Sequence, residues 1–160
     1  HRDLHSFPTR RSSDLQVVEA DPRAGIAVAI DIGDRYDIHP TNKREVGRRL
    51  SLEARRLAGD TTVARSPSPV SAVREGDRIR IDFAHAGTGL VTLSADDAIG
   101  FEVCDQDKTC RFTPGTVQGA TVWLTAPQAA FVRFCWADSP VCNLYGPDNL
   151  PAVPFELPVS

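Results

Sequence analysis

The chain has 160 residues, 18 basic and 21 acidic, with a formal net charge of -3, 4 Cys, 12 Pro and no Met. That length sets an expectation of about one domain, or one small domain and part of another. Ordinary apolar content excludes disorder by composition, and the slightly acidic balance excludes the basic footprint of a nucleic-acid binder. No apolar run approaches the roughly 20 residues of a membrane span. Only His39 and His85 lie beyond the opening residues, which excludes a His-rich metal centre.

His1 to Leu15 reads HRDLHSFPTRRSSDL. A basic start is followed by no apolar core, so it lacks the shape of a signal peptide. It resembles the frame translation of a sequencing adapter and is set aside as an artefact. With no Met at position 1, this implies that the natural N-terminus is missing. Gly25-Ile26-Ala27-Val28-Ala29-Ile30 is a continuous small and β-branched run, which predicts a strand buried on both faces. A polar loop, Asp31 to Pro40, follows. Asn42 with Glu45 is a capping-box pattern that opens a helix. Val46, Leu50, Ala54 and Leu57 recur at helical spacing and predict its buried stripe, with Arg48, Arg49, Arg55 and Arg56 mostly on other faces. The helix is expected to stop near Gly59. Strand, loop and helix together form the repeating unit of a doubly wound α/β sheet.

Residues 60–68 read as a linker, and beyond them the pattern changes. Arg78 to Phe83 alternates with period two, as a half-buried antiparallel strand does. Leu90 to Leu93, Gly100 to Cys104, Thr109 to Phe112, Thr121 to Leu124 and Ala130 to Phe134 add short strands. The Asp105-Gln106-Asp107-Lys108 turn marks a hairpin. Strands at this spacing predict an antiparallel β-sandwich over residues 69–160. All four cysteines fall in this part, at 104, 110, 135 and 142. The spacing lacks the C-x-x-C of zinc sites. Of three possible pairings, the local ones, Cys104 with Cys110 and Cys135 with Cys142, are favoured, with buried free thiols the alternative. Bridges would place the protein in the periplasm or outside the cell.

Three stretches carry a resemblance: Ile30-Asp31-Ile32-Gly33-Asp34 through Asp37-Ile38-His39-Pro40 with Asn42-Lys43; Phe131 to Ala137; and Pro140 to Tyr145 with Leu150 to Phe155. In this order and spacing they resemble the C-terminal end of a sialate O-acetylesterase of the SGNH-type, flavodoxin-like hydrolases. The resemblance implies an esterase with a Ser-His-Asp triad that removes acetyl groups from sialic acids or related sugars, without metal or cofactor. It implies the last strand-loop-helix unit of the hydrolase sheet in residues 16–59 and a β-sandwich accessory domain after the linker.

His39 lies where an α/β sheet places chemistry, after the carboxyl end of a strand and before a helix. A hydrolase needs a base of near-neutral pKa with a carboxylate to fix its tautomer. Asp31, Asp34 and Asp37 are nearby, and Pro40 holds the backbone of His39 extended. The residues alone favour a surface histidine among solvated acids; the resemblance favours the catalytic reading. Asp34 and Asp37 are both candidates for the orienting acid, with Asp34 favoured because an acid at i−2 needs a kink to reach the ring. No serine lies in a Gly-x-Ser-x-Gly or Gly-Asp-Ser block. The nucleophile is therefore expected upstream and the fragment is expected to be inactive. Trp123, Phe134, Trp136 and Tyr145 read first as core; Trp136-Ala137-Asp138 with Asn143 is the set most open to a sugar. Two alternatives remain: an acetylxylan or other glycan acetylesterase of the same fold, and a non-catalytic carbohydrate-binding β module. Oligomeric state is not legible.

Overall fold

The computed structural model describes residues 17–18, 20–37, 39 and 41–160. The stretch read as an adapter translation lies outside them, as do Ile38 and Pro40. Helix α1 (Lys43–Leu57) begins where the Asn42 side chain accepts the backbone N–H of Glu45 at 3.2 Å. That bond satisfies one of the orphan donors of the first turn. The helix ends at Ala58, and Gly59 follows with φ 98°, a left-handed geometry that glycine adopts without a Cβ penalty.

The buried face of α1 is not the expected one. Leu50 is 55% exposed and Leu57 42%, whereas Arg49 is buried at 4%. The reason lies in what faces the helix. The segment before it offers carbonyls and a carboxylate, so the guanidinium side of α1 turns inward. Arg49 donates to the Val28 carbonyl at 2.7 Å and Arg56 to the Ala24 carbonyl at 2.9 Å. This also corrects the reading of Gly25 to Ile30. Among the described residues this run has no ladder partner and is irregular chain laid along α1, with Val28 buried. A strand is made by pairing, and no partner lies among the described residues; Arg49 takes the carbonyl of Val28 in the run and Arg56 that of Ala24 just before it.

The rest of the chain is antiparallel. The strands are β1 (Ser68–Glu75), β2 (Arg78–Ala84), β3 (Val91–Thr92), β4 (Ala98–Cys104), β5 (Cys110–Gln118), β6 (Thr121–Thr125), β7 (Phe131–Phe134), β8 (Leu144–Tyr145) and β9 (Phe155–Pro158). Seven of them form one sheet in the order β1-β2-β6-β5-β4-β7-β9, and β3 pairs with β8. The two edges of the large sheet meet. The Arg74 N–H donates to the Ser160 carbonyl at 2.8 Å and the Ser160 N–H to the Ala72 carbonyl at 3.0 Å. The expected sandwich of two sheets is therefore replaced by one curled, nearly closed sheet. Closure uses the backbone groups that an open edge would leave unpaired.

Inside the curl, alternate residues of β2, β4, β6 and β7 supply Ile79, Ile81, Phe101, Val103, Val122, Leu124, Val132 and Phe134, all fully buried. Phe101 and Phe134 lie 4.7 Å apart between ring centroids, and Phe155 of β9 packs on both. β1 starts at Ser68, inside the stretch read as linker.

Candidate active site

The loop between Asp31 and Asn42 holds the residues singled out for chemistry. The His39 Nδ1–H donates to Asp37 Oδ1 at 2.8 Å, and the His39 backbone N–H donates to the same oxygen at 2.8 Å. An aspartate that accepts from the backbone two residues on forms an Asx-turn, and this is the kink that brings an i−2 carboxylate onto the ring. Asp34 does something else. Its Oδ1 accepts the Tyr36 backbone N–H at 2.7 Å. The structure thus brings Asp37 to the imidazole and turns Asp34 to the Tyr36 backbone.

The pair has a definite polarity. A carboxylate only accepts, so in the neutral ring the proton sits on Nδ1 and Nε2 keeps its lone pair. The two N–H groups of His39, backbone first and ring second, hold the Asp37 carboxyl below its ordinary value. Both side chains are open, His39 at 74% and Asp37 at 59%. Among the described residues no serine hydroxyl bonds to His39; Ser51 donates to the Arg48 carbonyl and Ser71 to Asp82.

Asp31, the third acid of the loop, serves packing. The Arg49 guanidinium grips its carboxylate with two bonds, 2.5 and 2.8 Å, and donates from Nε to Glu45 at 2.8 Å. Tyr145 of β8 adds its hydroxyl to Asp31 at 3.3 Å. Arg48, with Arg49 beside it, holds the Glu45 carboxyl down at about 2. Burial first, then the Asp31 charge, pushes the Tyr145 hydroxyl up. This network was missed in the sequence; the signal was Glu45 with Arg49 at i,i+4. It ties the root of the His39 loop and α1 to the β part. Beside it lies a polar cavity of about 470 Å³, whose lining includes Asn42, Glu45, Arg48, Tyr145, Asp148 and Asn149.

In the β part Cys104 is bridged to Cys110 and Cys135 to Cys142. Of the aromatics named in the sequence, Phe134 and Tyr145 are buried, whereas Trp123 and Trp136 are half-buried. The Trp123 face is taken by the Arg78 guanidinium at 4.4 Å. Asn143 is buried and used by the fold, accepting from the Ile99 N–H at 2.8 Å and donating to the Asp97 carbonyl at 3.0 Å.

No protein-family model matches the chain. A sialate O-acetylesterase from Pongo abelii is 31% identical to it, over 84% of this chain and 29% of the relative. The crystal structure of a carbohydrate acetylesterase from Xanthomonas citri superposes with a TM-score of 0.87 at 31% identity, covering 96% of this chain and 36% of that one. The chain therefore spans about a third of the length of the acetylesterases it matches.

Proposed function

We propose that the chain belongs to a carbohydrate esterase that hydrolyses O-acetyl groups, and that it contributes the histidine and the orienting aspartate of a Ser-His-Asp triad. The observation that carries this reading is the Asp37–His39 contact, in which the carboxylate occupies Nδ1 and leaves Nε2 as the base. In such a site Nε2 takes the proton of a serine hydroxyl as the oxygen attacks the acetyl carbonyl. It then passes that proton to the departing sugar oxygen, which leaves as the free hydroxyl, and water repeats the cycle on the acetyl-serine to release acetate. The serine and the donors for the oxyanion lie outside this chain on our reading, so the chain alone is inactive. The chemistry calls on no metal.

The two similar proteins support the acetyl-ester class. Sialic acid as the acetylated sugar follows the Pongo abelii relative, and another acetylated glycan follows the Xanthomonas citri one. Residues 16–59 read as the last unit of a flavodoxin-like sheet, with the open stripe of α1 facing the remainder of that sheet. Residues 69–160 form the accessory β domain. The bridged cysteines favour a periplasmic or secreted setting.

The test is a chimaera in which this chain replaces the matching third of the Xanthomonas citri acetylesterase. Release of acetate from acetylated xylo-oligosaccharides or from O-acetylated sialic acid by the folded chimaera is the expected result, with none from the chain alone. A folded chimaera that releases acetate from neither substrate contradicts the reading and favours a carbohydrate-binding module.

A further inference from the structure

The face of β4 and β5 that points away from the core carries a groove that the fold does not use. It has a volume of about 510 Å³, and its lining includes Glu102, Phe112, Trp136, Pro140 and Val141. Phe112 is 77% exposed and Val141 78%, while Phe83, Phe101, Phe134 and Phe155 are all buried. Large apolar side chains left together in water mark a binding surface. We propose that this groove binds the apolar face of a neutral pyranose within a glycan, with Trp136 and Phe112 as the stacking surfaces and the Glu102 carboxyl as the hydrogen-bonding partner of its hydroxyls.

The groove is built in advance. Cys135 has φ 52°, and this turn carries the chain from β7 into the loop that bears Trp136. The Cys135–Cys142 bridge closes that loop, and the Cys135 N–H donates to the Gly100 carbonyl at 2.9 Å. Gly100 has no side chain because a Cβ there would meet Cys142 Sγ at 2.8 Å. The loop therefore sits directly on β4, and binding does not have to order it.

The chemistry selects the occupant. Glu102 is the one ionisable group in the lining, so the lining itself offers no cation to a carboxylate or phosphate. Arg133, the nearest cation, lies over the Trp136 ring at 5.7 Å and is held by Glu156 at 2.7 Å. β4 is paired on one side with β5 and on the other with β7, which leaves no edge for a peptide strand to join. What remains is aromatic and aliphatic surface around a carboxyl, which suits a ring with C–H faces and a rim of hydroxyls. Burial pushes the Glu102 carboxyl up, against the opposing charge of Arg133. This inference does not depend on the esterase reading.

The test is titration of the intact chain with xylohexaose, cellohexaose and 3′-sialyllactose, followed by tryptophan fluorescence and amide NMR shifts. Saturable binding of at least one neutral hexaose is expected, with shifts centred on residues 99–102 and 135–141. Trp136→Ala and the fold-safe Phe112→Ala should each weaken it by about tenfold, with Glu102→Gln intermediate and sialyllactose at least about tenfold weaker than the hexaose. Flat titrations with both hexaoses overturn the proposal, as does binding that survives both aromatic variants or sialyllactose binding as tightly. Concentration-dependent dimerisation that Phe112→Ala abolishes would also overturn it, by giving the groove to a second copy.

Discussion

Asp37 and Asp34 are separated by three positions and differ in what their carboxylates hold. Asp37 holds both N–H groups of His39, whereas Asp34 holds the Tyr36 backbone. In an active chimaera, Asp37→Asn should lower kcat by roughly 10³-fold or more, because an amide presents the wrong partner to Nδ1 and the tautomer is lost. Asp34→Asn should stay within about tenfold. Equal losses would show that the loop rearranges around a serine partner. Arg49 is tested by stability. It is buried with three acceptors, and Arg49→Ala strands the Asp31 carboxylate, whose side chain is only 14% exposed. Urea unfolding should show a loss of about 3 kcal/mol. A loss under about 0.5 kcal/mol would mean that the network does not hold α1. The orienting acid was hard to read because spacing alone cannot show an Asx-turn. Arg49 was hidden because an arginine at helical spacing normally reads as a solvated face.

Among the elements, α1 was legible in its ends but not in its orientation. Asn42, Glu45 and Gly59 fix the boundaries through local chemistry. Which side is buried depends on what packs there, and here that is carbonyls. The stripe of Val46, Leu50, Ala54 and Leu57 is the sequence's own statement that an apolar surface belongs on that side. Leu50→Glu should leave the stability of this chain within about 0.5 kcal/mol, since Leu50 is 55% exposed. In the chimaera the same change should reduce soluble, active protein, as a charge placed in an apolar contact does. No effect in either setting removes the support that the stripe gives to a flavodoxin-like sheet. The hairpins were legible from alternation and turn residues. β1 and β9 were not, because Pro69, Ser71 and Pro158 blur the pattern in strands that lie at the sheet's edges, where proline is tolerated.

At the scale of the whole molecule, closure of the sheet by residues 72–74 and 160 was invisible in sequence, because it rests on backbone bonds between distant segments. Electrostatics sets how the molecule meets acid. Glu45 and Asp60 are held at about 2, Glu45 chiefly by Arg48 and Asp60 chiefly by Thr62. Asp37, Asp107 and Glu156 are also lowered. A carboxyl held below its unfolded value stabilises the fold above that value and loses the contribution as pH falls through the folded one. Urea midpoints should therefore fall as pH drops from about 4.5 toward 2, and Glu45→Gln should flatten part of that fall. A midpoint unchanged across this window would contradict the assignment of these hydrogen bonds and ion pairs.

The proposed ester chemistry rests on the imidazole of His39. The most direct measurement is kcat/KM for acetate release by the chimaera with His39 intact and with His39→Ala, at matched circular dichroism. The expected result is a fall of about 10³-fold or more. A His39→Ala chimaera within about threefold of its parent would contradict the account, because the proton would then be moving through another group.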